Sequence, residues 1–244
     1  MKNENLLTIS EAAKTLGVSI DTLRRWDKKG HLNAIRLTPE SHRYYSKEEI
    51  SNLLPKNDIF NLAKTWTISK KTLPLPQEYY SETSDIFNAR LERFGRELAK
   101  IKNMEKTFPL IVAIAGEIGN NSFNHNIGNW PDIPGVFFGY DLSKQKVVLA
   151  DRGQGIFKTL KRVKPKLSIN KDALSVAFTE FISARAPEDR GNGLKFVRNV
   201  VTENDFNLFF QSGNAELNLK KNDENLNIQE SNIYFPGCFA LINF

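Results

Sequence analysis

The sequence predicts an α+β protein, with a small helical domain followed by a larger domain of helices and strands. Short segments with helical spacing of apolar residues, separated at glycines, occupy roughly the first fifty residues. Further along, apolar and polar residues alternate in Val136–Leu142 and Lys146–Ala150, which a short turn joins as strands. A helical segment and additional strands follow and complete a predicted sheet: Lys171–Ser183, Phe206–Gln211, Glu216–Lys220 and Cys238–Phe244.

Composition limits the classes of protein to which the chain can belong. Its 244 residues are 40% hydrophobic, enough for one large or two modest domains with real cores. The net charge of +6 mildly favours an anionic partner. Cys238 is the single cysteine, which excludes an internal disulfide and a cysteine-based metal cluster. No apolar run approaches the ~20 residues of a membrane span, and the start has no signal-peptide pattern, so we expect a cytoplasmic protein.

The first segment has the pattern of three helices. Ser10 is in position to cap a first helix that ends at Gly17, and a second helix, Ile20–Lys29, ends at Gly30. Two short helices joined at a glycine are typical of a helix-turn-helix. Residues 32–45 are predicted to form a short hairpin, or wing, with its turn at residues 38–41. Ser46 then caps a third helix over residues 47–54.

This segment resembles the winged helix-turn-helix of MerR and excisionase proteins. The matching pieces are residues 9–13 (ISEAA), 22–26 (TLRRW), 30–32 (GHL) and 42–45 (HRYY). The resemblance implies that the second helix enters the major groove of duplex DNA while the wing grips phosphate. It assigns helix contacts to Thr22, Arg24 and Arg25, and wing contacts to Arg36, Arg43 and Tyr44. Leu23, Trp26 and Leu32 are expected in the core.

The charge of this unit is small. Residues 1–55 hold nine Lys or Arg against seven Asp or Glu, a balance of +2. One such module would bind DNA weakly, so specific binding implies a dimer. A helix predicted from Ser84 or Asp85 to Lys106 has apolar residues spaced by four and three: Phe87, Leu91, Phe94, Leu98 and Ile101. This stripe either packs on its own domain or pairs two chains.

The central motif of the larger domain lies in Val147–Ile156. An apolar strand ends in Asp151, and Gly153 and Gly155 follow at alternate positions. An acid at a strand end can accept hydrogen bonds from an exocyclic amine, and the glycines allow the backbone to lie close to a flat ligand. Taken alone, the pattern is more often that of a plain turn.

Two further motifs accompany it. Upstream, Glu117 and Asn121 are four residues apart, so they share one face of a helix. Downstream, residues 190–197 form a glycine-rich turn that opens a helix, and the free N–H groups at a helix start attract phosphate.

The three motifs, in this order, resemble the GHKL (Bergerat) ATP-binding fold of type II topoisomerases, MutL proteins and sensor histidine kinases. The resemblance covers about the last two thirds of the chain. It implies a two-layer α/β sandwich, with a mixed sheet and helices on one face. The expected domains are then residues 1–56 for DNA binding, residues 57–84 as a connector, and residues 85–244 for ATP.

The resemblance also assigns roles within the ATP site. Asp151 would accept the adenine amine, and Asn121 would bind Mg²⁺, which prefers a few oxygen ligands. Glu117 matches the general base of the hydrolysing branch. The other contacts with the nucleotide would come from Gly153, Gly155, Arg190, Gly191 and Gly193. Residues 156–200 hold ten Lys or Arg against four Asp or Glu, and this segment is either a mobile lid over ATP or a solvated basic surface.

These assignments predict a DNA-binding transcriptional regulator with an ATP switch. One alternative is an ATPase or protein kinase whose DNA-binding domain serves only to localise it on DNA. Another is a partner-binding module with a structural nucleotide. A self-phosphorylating kinase is disfavoured, because none of the three histidines lies on the helix predicted from Ser84 to Lys106. The P-loop motif is also absent from the sequence.

Overall fold

The computed structural model describes residues 5–16, 18–36, 38, 42–53, 59–70, 75–180 and 193–244. The chain divides into two compact units, Met1–Pro76 and Gln77–Phe244. No helix in the described part of the chain is long and apolar enough to cross a membrane.

The first unit is mostly helical. Its elements are β1 (Leu6–Thr8), α1 (Ile9–Leu16), α2 (Ile20–Lys29), β2 (Tyr44–Ser46), α3 (Lys47–Leu53) and α4 (Ile59–Ile68). A small core joins the first three helices and both strands through Leu7, Ala12, Ala13, Leu23, Leu32, Tyr45 and Ile50. Leu23 and Leu32 are buried as the sequence predicted, and Trp26 packs against the same core.

Side chains at the helix ends explain where α1 and α2 begin. The expected cap of α1, Ser10, is wrong, because Thr8 caps this helix. The Thr8 hydroxyl accepts from the Glu11 N–H, and the Glu11 carboxylate accepts from the Thr8 N–H and hydroxyl, which is a reciprocal capping box. For α2, the Ser19 side chain accepts from the Thr22 N–H, and Gly30 ends the helix in the left-handed conformation at φ 69°.

The wing begins with a bridge between Ile35 and Tyr44, whose backbones exchange hydrogen bonds of 2.7 and 2.9 Å. From Tyr44 onward the wing strand is β2, and it pairs antiparallel with β1. The predicted turn of the wing falls largely on residues 39–41, which lie outside the described residues.

The segment 57–84, interpreted as a connector, contains regular elements. It includes α4, in which Ile59, Leu62 and Trp66 are buried, and β3 (Tyr80–Ser81), which pairs with the sheet of the second unit.

The second unit is built around a five-stranded sheet of order β3-β4-β5-β7-β6. The predicted mixed sheet is wrong for the described residues, because all four strand pairings are antiparallel. After β3, its elements are α5 (Ser84–Leu98), α6 (Phe108–Asn126), β4 (Val136–Asp141), β5 (Lys146–Asp151), α7 (Gly155–Lys161), α8 (Asn170–Thr179), α9 (Gly193–Glu203), β6 (Asn207–Lys220) and β7 (Asn227–Asn243).

Side chains of α5, α6, α8 and α9 pack on one face of this sheet. The strands present alternate residues to that core, such as Val147 and Leu149 of β5, as the two-residue period of a strand requires. The apolar stripe of α5 belongs to the same core, with Phe87, Phe94 and Leu98 fully buried. This stripe is therefore not a surface through which two chains pair.

Three element boundaries differ from the sequence prediction. The helix expected to reach Lys106 ends at Leu98, and the turns that follow include Asn103 in the left-handed region. The separate strands predicted within residues 206–220 form the single strand β6. The strand predicted to begin at Cys238 is also wrong in its start, because β7 begins at Asn227 and buries Ile228 against the core.

Candidate functional sites

The Asp151 side chain ends β5 and is almost completely buried, at 1% exposure. Its Oδ2 atom accepts from the Ser122 hydroxyl at 2.7 Å and from the Cys238 N–H at 3.2 Å, and its Oδ1 atom accepts from the Gly153 N–H at 2.7 Å. Burial raises the pKa of this carboxyl, and these three hydrogen bonds together with one from the Cys238 thiol oppose that shift. These donors match the roughly four lone-pair positions of a carboxylate, and the thiol is the weakest of them.

Glycines allow the chain to pack closely around this carboxylate. A Cβ at Gly153 would lie 2.1 Å from Nδ2 of Asn126, and one at Gly237 would lie 2.2 Å from Oδ1 of Asp151. Gly155 has a φ of 72° and lies against the Pro236 carbonyl, which explains the glycine at this position. Gly237 belongs to the site although its isolated position in the sequence gave no signal.

Replacing Gly237 with Ala is expected to lower the free energy of unfolding by about 1–3 kcal/mol, because the new methyl group overpacks a buried site. The added Cβ would meet the Asp151 backbone oxygen at 2.3 Å and the Gly153 nitrogen at 2.7 Å, and backbone atoms cannot rotate away. Urea denaturation measures the change. Gly116→Ala is the matched control, because its Cβ would meet the end of the Leu91 side chain at 3.1 Å. Equal effects in the two variants would contradict this account.

Helix α6 connects the loop after β5, residues 152–154, to the rest of the site; this segment is called the Asp151 loop. Besides Ser122, it contributes Asn126, whose Oδ1 accepts from the Gln154 N–H at 2.8 Å. The Asn126 side chain in turn donates to the Ser122 carbonyl at 2.8 Å. The loop after β5 is therefore held by two side chains of α6, one turn apart, and neither was predicted from the sequence.

The start of α9 lies against the other end of the same helical face. A Cβ at Gly193 would lie 2.4 Å from Oε2 of Glu117 and 3.1 Å from Nδ2 of Asn121. The structure therefore brings Glu117, Asn121 and Gly193 together, and α6 joins them to Asp151 through Ser122. Arg190 and Gly191, predicted for the same site, lie outside the described residues.

An ion pair supports the chain beside Asp151. Arg152 is 5% exposed, and its guanidinium contacts Oδ2 of Asp132 through two nitrogens at 2.7 and 2.6 Å. A buried guanidinium needs such a partner, because an unpaired buried charge is costly. The sequence offered both residues, but only the packing shows that they pair.

The described residues contain no cluster of three or more His, Cys, Asp or Glu side chains that could hold a metal ion. A tightly caged structural metal therefore has no site among them. The oxygen-bearing side chains of Glu117 and Asn121 still suit Mg²⁺, which keeps several waters and takes few protein ligands when phosphates supply the others.

In the first unit, the three residues of α2 predicted to contact DNA differ in their exposure and in their partners. Arg25 is exposed. Arg24 is also exposed but pairs with Asp21 at 2.9 Å on the helix surface. The Thr22 hydroxyl lies 3.0 Å from the Ser19 hydroxyl and so takes part in the cap of α2.

Asp27 of α2 holds both predicted wing arginines. Its Oδ2 atom contacts Arg43 at 2.9 Å and Arg36 at 3.3 Å, while Oδ1 accepts from the Ala34 N–H at 2.9 Å. The backbone hydrogen bond, aided by the arginines, lowers the pKa of the Asp27 carboxyl. Tyr44, the third predicted wing contact, is half-buried at the start of β2. Asp27 was missed from the sequence, although it lies within the motif that suggested the helix.

Comparisons with known proteins bear on both units. The model of the MerR family regulatory proteins matches residues 8–45. A type II methyltransferase of Escherichia coli, M.Eco47II, is 24% identical to the chain over 221 residues, which cover 83% of this chain and 50% of that protein. The chain thus spans about half the length of this curated relative. The predicted MerR-type helix-turn-helix is confirmed, and the chain carries a DNA-binding domain of that type.

Proposed function

We propose that the protein is a DNA-binding transcriptional regulator whose second unit binds ATP with Mg²⁺, in the manner of GHKL proteins. The observation that supports this most is the face of α6, which brings three motifs from distant parts of the chain together. Ser122 donates to Asp151, while Glu117 and Asn121 lie against Gly193. A plain turn after β5 would not require these contacts.

The adenine would bind through Asp151. The Cys238 thiol is the weakest donor to this carboxylate, so an exocyclic amine can take its place. Burial in a site from which water is excluded makes that hydrogen bond specific for a donor. Gly153 and Gly155 let the chain after β5 pack closely on Asn126 and on the Pro236 carbonyl, which fixes the position of Asp151. An exocyclic amine is the group that these features suit.

The triphosphate would bind at the start of α9. Gly193 opens this helix of 11 residues, and the free N–H groups and partial positive charge of a helix N-terminus favour phosphate. Arg190 and Gly191 precede it in sequence and are proposed to add a positive charge and further N–H groups. When bound, Mg²⁺ would neutralise phosphate charge, with Asn121 as its ligand from the protein.

Glu117 is proposed to accept a proton from the attacking water, because it is exposed beside the start of α9. Glu117→Ala is expected to abolish ATP hydrolysis while ATP still binds, since Asn121 and Asp151 remain. Phosphate release measures turnover, and calorimetry measures binding. Glu105→Ala, which removes another exposed carboxylate of the same unit, is the control. Turnover that persists in Glu117→Ala would contradict the assignment.

The regulatory part of the proposal requires that nucleotide changes DNA affinity. A switch can shift DNA binding only by the difference in affinity between its two states, typically ~1–3 kcal/mol, or about 5- to 150-fold. The Glu117→Ala protein saturated with ATP should therefore differ at least about five-fold in DNA affinity from the nucleotide-free protein. Equal affinities would favour an ATPase whose DNA-binding domain serves only to localise it.

A homodimer, also proposed, needs a surface other than the buried stripe of α5.

Similarity to a type II methyltransferase favours a second candidate, in which the chain is part of a DNA-modifying system and recognises the DNA to be methylated. S-adenosylmethionine would then be the expected ligand in place of ATP. Calorimetric titration with each of the two compounds separates these proposals.

A further inference from the structure

A cleft of about 530 Å³ lies between α7 and the hairpin of β6 and β7. Its volume is within the range of about 300–1,000 Å³ that is usual for small-molecule sites. Gln154 and Gly155 form its border with the Asp151 loop, but Glu117, Asn121, Asp151 and Gly193 do not line it. The cleft is therefore distinct from the site proposed for ATP.

One wall of the cleft is strongly basic. Lys158, Lys161 and Arg162 line it from α7 and the residue that follows, and none of the described residues that line the cleft is acidic. Lys161 lies 5.1 Å from the centre of the Phe157 ring, and Arg162 donates to the Gln154 side chain. These contacts restrict the positions of two of the cations. Three like charges side by side repel one another, and an anionic ligand would relieve that repulsion.

The opposite wall carries an exposed aromatic ring. Tyr234 lines the cleft at 61% exposure, in a stretch where β7 bulges away from β6. Gly213 pairs with Phe235 and Ala215 with Glu230, so several residues of β7 face a single residue of β6. Bulges are frequent beside binding sites, where they redirect a side chain.

The bulge and α7 are fixed relative to each other. Ser212, at the edge of the bulge, accepts from the Ile156 N–H at 3.0 Å and donates to the Gly237 carbonyl at 2.9 Å. The buried Gln211 side chain donates to the Ile233 carbonyl next to Tyr234. The basic wall and the aromatic wall therefore belong to one preformed structure, which lowers the entropic cost of binding a ligand between them.

From these contacts we propose that the cleft is a second binding site, for a nucleoside phosphate. The phosphates would contact Lys158, Lys161 and Arg162, and the base would stack on Tyr234. Cations placed beside an aromatic side chain are the combination that recognises phosphate and base together. Because Arg162 is bonded to Gln154, and Gln154 to Asn126 of α6, a ligand here would also contact the network that holds the Asp151 loop.

The probe for this site is uridine diphosphate, because uracil has no exocyclic amine for Asp151 to accept. Calorimetric titration of the full chain is expected to show saturable binding. The double variant Lys158→Gln/Lys161→Gln should weaken it by about tenfold or more, since each charge-assisted hydrogen bond contributes roughly that much. Tyr234→Ala should weaken it about five-fold or more through the lost stacking. Pyrophosphate should compete with uridine diphosphate, and its own affinity should be insensitive to Tyr234→Ala.

Lys166→Gln is the matched control, because Lys166 is an exposed lysine of the same segment that does not line the cleft. It should leave the affinity for uridine diphosphate within about two-fold of wild type, as expected for a surface charge outside the site. No saturable binding, or equal binding by the double variant and wild type, would overturn the proposal. Binding of a thymidine decamer but not of uridine diphosphate would overturn it in favour of a nucleic-acid surface. None of these results depends on ATP binding at Asp151.

Discussion

Replacing Asp151 with Asn is expected to weaken ATP binding by about 10- to 100-fold. Asn keeps one acceptor oxygen but replaces the other with an NH₂ donor. The N–H groups of Gly153 and Cys238 already donate to the two carboxylate oxygens. The new NH₂ group would therefore lie against one of these N–H groups or against the adenine amine, and two donors cannot bond to each other. Calorimetry with ATP and Mg²⁺ measures the loss of affinity.

A fold defect has to be separated from a loss of recognition in this experiment. Ser122→Ala removes one hydrogen bond to the same carboxylate but leaves both of its oxygens in place. We expect this control to lose about 1 kcal/mol of stability and to retain ATP binding. Thermal unfolding of both variants is measured to test whether the folded state persists at the temperature of the titration. If Asp151→Asn binds ATP as tightly as wild type, the proposed role of Asp151 is wrong.

Raising the salt concentration from about 50 to about 200 mM is expected to weaken binding to duplex DNA by roughly 100-fold. This estimate assumes that Arg24, Arg25, Arg36 and Arg43 each neutralise one phosphate, because each such contact contributes about −0.9 to the slope of log K against log salt. Fluorescence anisotropy with a labelled duplex measures the affinity. An affinity that does not change over this range would contradict DNA binding through these arginines.

Single substitutions test which residues carry this effect. Arg43→Ala should weaken binding to all sequences alike and reduce the salt slope by about one. Lys14→Ala is the control, because it removes an exposed charge from α1, which has no predicted contact. Asp27 pairs with Arg43, so the orientation of this guanidinium is already restricted in the free protein. If Lys14→Ala and Arg43→Ala have equal effects, the wing has no particular role.

The helices of the first unit could be predicted because their signals are local. Gly30 ends α2 where the glycine stands, and Ser46 precedes α3 as expected. The cap of α1 was misassigned because Ser10 and Thr8 are both suitable residues, and the choice depends on Glu11, three residues after Thr8. Asp27 was missed because its partners come from the wing, up to sixteen residues away along the chain.

The second unit shows which features depend on tertiary packing. The alternation of apolar residues predicted β4, β5 and the short turn that makes them an antiparallel pair. The strand order was not predicted, because α5 and α6 separate β3 from β4, and α7, α8 and α9 separate β5 from β6 along the chain. The motifs at Glu117, Asp151 and Gly193 were visible in the sequence. Their supporting residues, Ser122 and Gly237, come from a helix and a strand that only the fold brings to Asp151.

The central claim is that Asp151 recognises the amine of ATP. It is tested most directly by titrating the full chain with ATP and with inosine triphosphate, both with Mg²⁺, because inosine has a carbonyl where adenine has its amine. We expect inosine triphosphate to bind at least about tenfold more weakly than ATP, with both titrations made in the Lys158→Gln/Lys161→Gln variant so that binding in the cleft does not contribute. Equal affinity for the two nucleotides, or no binding of ATP, would contradict the account.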